Sequence, residues 1–150
     1  MEISELQRIY AKHPHVRSVA TQLENSSIRT IFLGGLHASA SALFFSSIVK
    51  DRSQTFVFIL GDVEEAGYFY HDLIQVLGDS QVLFFPSSFR RAVKFGQRDA
   101  ANEILRTEVI SRLTSDARPL FVVTHPEALV EKVVSKEVLA SQSLKLHVGE

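Results

Sequence analysis

Chemistry-bearing residues gather first around Gly34. The stretch "GGLHASASAL", Gly34 to Leu43, follows the apolar run "TIFL" and has the position and length of a phosphate-binding loop, G-x-x-x-x-G-K-[ST]. Such a loop surrounds phosphates with backbone N–H groups, sets a lysine against the terminal phosphates and holds magnesium through Ser or Thr. Here Gly34 takes the first glycine position with Gly35 beside it, Ser39 takes the second, Ala40 replaces the lysine, and Ser41 stands where the metal-side hydroxyl belongs. Without the lysine, negative charge developing on a transferred phosphoryl group has no cation to meet it, a loss of about 3–4 kcal/mol on the scale of a single preorganised contact. ATP hydrolysis is therefore not expected, and no catalytic residue is assigned. A tight strand-to-helix turn is the preferred reading. Weak anion binding at the helix N-terminus and nucleotide binding proper are the alternatives.

Three other groups invite chemistry. "FILGDVEE" imitates an apolar strand ending in a magnesium-binding acid, but Gly61 intervenes and Asp62, Glu64 and Glu65 stand where helix caps belong. Phe89, Arg90, Arg91, Lys94 and Arg98 lie in "FRRAVKFGQR", a basic stretch free of acids with aromatics interleaved. It can grip a nucleic-acid backbone or an acidic partner, or be a solvated loop anchored by its phenylalanines. The histidines at 13, 15, 37, 71, 125 and 147 are scattered, so no metal site is expected. Ser46, Ser47, Ser87 and Ser88 lack a nucleophile elbow.

Elements that could position these residues follow from periodicity. Ile28 to Leu33 reads as a strand, and Ala40, Leu43, Phe44, Ser47 and Ile48 give the face of a helix after it. Phe56 to Leu60 is a second strand, followed by a helix that Asp62 caps and Gly78 stops. Val82 to Phe85 is a third, ending at Pro86. After the irregular segment 87–98, Asp99 caps a helix with Ala101, Ile104, Leu105, Val109 and Leu113 on its apolar face. Leu120 to Val123 is the fourth strand, and "THPEALVEKVV" starts a helix with Thr124 and Glu127 at capping-box spacing. A helix from Ile3 to about Leu23, broken at Pro14, precedes all of this. Four β-α repeats predict an α/β fold with a parallel sheet between helical layers. The final "QSLKLHVGE" alternates apolar and polar residues as the opening strand of a further, truncated domain would. The expected divisions are a helical segment 1–24, an α/β domain 25–140 and the start of another domain at 141–150.

Composition narrows the function classes. The chain has 150 residues, 45% hydrophobic, with 16 Lys plus Arg against 17 Asp plus Glu, so no global field draws it to nucleic acid or membrane. It contains no cysteine and hence no disulfide or thiolate-metal chemistry, and its N-terminus lacks a signal-peptide pattern. Apolar runs such as "TFVFIL" fall far short of the roughly 18 residues of a membrane helix. A cytoplasmic location without membrane contact is expected.

The succession of the lysine-free turn, "FVFILGDVEEAGYFYHDL", "VLFFPS", the basic stretch, "AANEILRTEVISRL" and "PLFVVTHPEALVEKV" resembles the N-terminal region of bacterial transcription-repair coupling factors. That region looks like the first domain of excinuclease component B, a helicase-type α/β half-domain with a degenerate nucleotide motif. The resemblance covers residues 25–150 and is most specific from "FFPS" to "THPEAL". It implies a parent protein that is a superfamily 2 ATP-driven DNA translocase, removing stalled RNA polymerase and recruiting excinuclease component A. ATP and magnesium would bind downstream of Glu150, leaving this fragment without a cofactor. Its partners would be neighbouring domains of the parent and, through the parent, DNA, RNA polymerase and excinuclease component A. Ser39 and Ala40 depart from the nucleotide-binding pattern of component B, and residues 87–98 are too few for its long DNA-clamping hairpin. Two other functions compete: a free-standing α/β protein that binds a phosphate-bearing ligand at the Gly34 turn, and weak DNA-backbone binding by the 89–98 loop.

Overall fold

The computed structural model describes residues 2–89, 99–135, 137, 138 and 141. Its first two helices, α1 (Ile3–Lys12) and α2 (Pro14–Leu23), are one apolar-periodic segment divided by a proline. Pro14 excludes the helical region for His13, which sits extended at φ −65°, ψ 134°, and the ring falls in the first turn of α2, where no N–H is needed. Glu2 and Glu5 close a capping box at the start of α1.

Helix α3 (Ser39–Val49), strand β1 (Phe56–Ile59), helix α4 (Val63–Leu77), strand β2 (Val82–Phe85), helix α5 (Ala100–Ser115), strand β3 (Phe121–Thr124) and the short helix α6 (Pro126–Leu129) follow. The three strands are parallel in the order β1-β3-β2, with Phe121 aligned to both Phe56 and Val82. β3 is central and buried throughout, as its unbroken apolar run requires. Val82, Phe84, Phe121 and Val123 face a large core shared with α2, α3 and α4, whereas Leu83, Phe85, Leu120 and Val122 face a smaller one built with Val109 and Ala128. The sheet is thus covered by helices on both faces. No helix among the described residues is long and apolar enough to cross a membrane.

Four expectations need correction. Ile28–Leu33 is not a strand of the sheet: β1 pairs with β3 only, and Arg29–Leu33 make no hydrogen bond among the described residues. Side-chain alternation survives there, with Ile31 and Leu33 packed on the core and Phe32 turned outward at 92% exposure. α3 does not bury a single stripe; Ala42, Phe44, Ser46, Ile48 and Val49 are all buried, because the helix lies among α1, α2 and α4. The helix expected from Thr124 onward is one turn, with His125 at the N-cap position and no side-chain capping bond. Thr124 belongs to β3, where its hydroxyl donates to the Phe85 carbonyl at 2.8 Å. On α5, Ile104 is 68% exposed, and the buried positions are Arg106 and Val109. The segment 142–150, expected to open a further domain, lies outside the described residues.

Leu73 is fully enclosed in the larger core, whereas Phe32 touches little. Leu73→Ala is expected to cost about 2–5 kcal/mol in urea unfolding, and Phe32→Ala less than about 0.5 kcal/mol. Equal losses would contradict this core.

Candidate functional site

At the Gly34 turn, the left-handed conformation falls on Gly35, at φ 80°, and on Ala38, at φ 47°. A Cβ on Gly34 would meet only the edge of Phe32, at 3.7 Å, so the turn demands glycine at 35 rather than 34. α3 starts at Ser39 without a side-chain cap. The N–H groups of Ala40 and Ser41 donate to the carbonyls of His37 and Ala38, at 3.2 and 3.1 Å, so the turn itself uses two of the amides an anion would need. A cavity of about 580 Å³ adjoins the turn, lined by His37, Ser39, Ser41, Glu65, Tyr68 and Asp72. Its charge comes from two carboxylates. They suit the positive end of α3 and oppose a phosphate.

The acids after β1 act on the backbone. Asp62 accepts the N–H groups of Glu64 and Glu65, both at 2.9 Å, and Glu65 accepts that of Gly61 at 3.1 Å. Both carboxylates thus serve as caps at the start of α4. Among the described residues no group of three or more His, Asp or Glu side chains converges on a metal position. His125, buried at the end of β3, has Nδ1 3.6 Å from the Glu127 carboxylate.

In the basic segment only Phe89 is described; it is half exposed, and Arg90, Arg91, Lys94 and Arg98 lie outside the described residues. The base from which the segment springs is well defined. Asp99 N–H donates to the Ser88 carbonyl at 2.8 Å, and the Asn102 amide donates to the Ser87 carbonyl at 2.8 Å. Glu131 accepts the Ser88 N–H at 3.0 Å, the Ser88 hydroxyl at 2.6 Å and the Ser87 hydroxyl.

Beneath them lies Arg106. Its guanidinium stacks 4.2 Å over the Phe85 ring, and Nη1 donates to the carbonyls of Pro86 and Ala128 at 2.8 and 3.0 Å and lies 3.6 Å from Glu131. One side chain thereby joins the end of β2, helix α5 and the chain leaving α6. Burial lowers the Arg106 pKa from its ordinary value, and Glu131 and Glu103 oppose that shift. Burial pushes the Glu131 carboxyl up, but the hydrogen bonds from Ser87 and Ser88 and the charge of Arg106 outweigh it and hold the group below the usual carboxylate range.

Neither Arg106 nor Glu131 stood out in the sequence. One signal was present: Asn102, Arg106 and Val109 recur at helical spacing, a polar pair on the side that packs. Because the folded pKa of Glu131 is depressed, its contribution to stability is complete above the unfolded value of about 4.5 and is lost as pH falls through the lower folded one. The stability gap between wild type and Glu131→Gln is therefore expected to stay constant above about pH 5.5 and to narrow below 4.5 in urea unfolding at stepped pH. A gap independent of pH would contradict the clamp.

No family model matches the chain, and no solved structure matches it. Over 111 residues, 73% of this chain, it is 29% identical to the transcription-repair-coupling factor of Rickettsia bellii (strain RML369-C). The match covers 10% of that protein, so the chain corresponds to a small part of its curated relative. This likeness is distant and supports a related region.

Proposed function

We propose that this chain is a non-catalytic interaction and scaffold module: the N-terminal region of a coupling-factor-type protein, with a domain like the first of excinuclease component B. The observation that carries this reading is the Gly34–Ser41 turn, held at the edge of a well-packed core with Ala40 at the lysine position and Glu65 and Asp72 lining its cavity. A fold kept without its phosphate chemistry suits docking rather than turnover. The likeness to the Rickettsia bellii factor supports the placement. On this reading the parent protein is a cytoplasmic ATP-driven DNA translocase that removes stalled RNA polymerase and recruits excinuclease component A, with ATP and magnesium bound outside residues 1–150. The module packs against neighbouring domains of that parent, and no cofactor belongs to the module itself.

Titration calorimetry of residues 1–150 with ATP and magnesium, alongside a phosphate-release assay, tests this directly. The expected result is no saturable heat and no turnover above background. Turnover that disappears in Ser41→Ala would overturn it.

A further inference from the structure

Arg106 uses only part of its guanidinium in the clamp. Nη1 makes both of its hydrogen bonds, to the Pro86 and Ala128 carbonyls, and faces Glu131, while Nη2 is buried and meets no acceptor among the described residues. A buried donor left without an acceptor keeps its full desolvation penalty, and on a cation that penalty is larger. Nη2 and Nε form the side-on edge of the guanidinium, the edge that receives a carboxylate through two parallel N–H donors. Arg106 also lines a cavity of about 240 Å³ beside α5, between Glu103 and Ile110 of the helix and residues 132–134 of the chain after α6. The lining has a charged side and an apolar side. Lys132, which is exposed, joins Arg106 against the carboxylate of Glu103, and Ile110, Val133 and Val134 supply hydrocarbon. The hydroxyls of Ser88 and Thr107 in the same lining donate elsewhere, to Glu131 and to the Glu103 carbonyl. Among the described lining, the side-chain donors left for a ligand are thus the two cations.

We propose that this cavity is a binding pocket for a carboxylate borne on an aliphatic body. The free edge of Arg106 and the Lys132 ammonium hold the carboxylate, and Ile110, Val133 and Val134 lie along the hydrocarbon. Two cations against one carboxylate leave the described lining with a single positive charge, which matches a monoanion. A phosphate brings more negative charge toward Glu103 and offers the valines nothing. A carboxylate on the open guanidinium edge supplies the acceptor that Nη2 lacks as a charge-assisted, bidentate pair, in a place where burial strengthens it. The group can arrive on a free branched-chain acid or on a Glu side chain flanked by aliphatic residues in a partner, since both present the same atoms to the pocket. The pocket lies on the α5 face of the sheet, separate from the Gly34 turn, and stands whether or not that turn binds a ligand.

Sodium isovalerate is the probe, with isovaleramide as its uncharged counterpart, and NMR of the 150-residue chain reads the Arg106 Nε–H resonance. Isovalerate is expected to move that resonance saturably, isovaleramide to leave it in place, and inorganic phosphate to bind at least about fivefold more weakly. Lys132→Ala, at an exposed position, is expected to weaken isovalerate binding about two- to fivefold. Val134→Ser is expected to weaken isovalerate about threefold and acetate not at all. A blocked peptide with the core Val-Glu-Val separates the two sources: binding tighter than isovalerate assigns the pocket to a partner's side chain, and weaker binding assigns it to a free acid. Four results would overturn the proposal: no saturable shift with isovalerate; equal binding of isovaleramide; phosphate binding as tightly as isovalerate; or isovalerate binding unchanged in both Lys132→Ala and Val134→Ser.

Discussion

A single guanidinium sets the arrangement of the sheet's carboxyl end. Arg106 lies with 8% of its side chain exposed, and moving such a cation out of water costs several kcal/mol unless fixed acceptors replace its hydration. The Pro86 and Ala128 carbonyls, the Phe85 ring and Glu131 are those acceptors, and each must hold its place for the charge to be tolerated. Glu131 in turn requires donors, and Ser87 and Ser88 supply them. The base of the 89–98 segment is thereby fixed from below, whatever that segment meets. The clamp also falls within the run from "FFPS" to "THPEAL" and the residues just after it, the stretch that carries the coupling-factor resemblance most specifically.

The two sides of the sheet divide the work. The side packed by α1 to α4 contains most of the core and carries the Gly34 turn at its border. That turn carries positive φ at Gly35 and Ala38, and the cavity beside it is lined by the carboxylates of Glu65 and Asp72. Among the described residues the sheet ends at β1 on one side and at β2 on the other, and α5 packs against the face that carries Leu83, Phe85 and Val122.

Much of this was legible in the chain because the signals are local. Asp62 and Asp99 cap as their positions require, Pro14 divides a helix, and the runs at 56–60, 82–85 and 120–123 become the three strands. Features that depend on distant partners were not legible. Ile28–Leu33 has the composition of a strand, yet a strand needs a neighbour, and none of the described residues supplies one. α6 stops after one turn as the chain proceeds to Glu131, whose carboxylate is held by Ser87 and Ser88. On α5 the expected Val109 is buried, but apolar periodicity also counts the exposed Ile104 and overlooks an arginine whose acceptors lie 20 or more residues away. Of the candidate site, the missing lysine and the capping role of the acids could be read directly. The carboxylate-lined cavity and the clamp needed three dimensions.

The claim on which the account rests is that Arg106 and Glu131 act as one buried unit, and a double-mutant cycle with Arg106→Met and Glu131→Leu measures it. Each single change is expected to cost about 3–5 kcal/mol in urea unfolding, because it leaves a buried charge uncompensated. The pair together should cost less than the sum, by a coupling of about 2–3 kcal/mol. Losses that add to within about 0.5 kcal/mol would show the two residues to be independent and contradict the clamp.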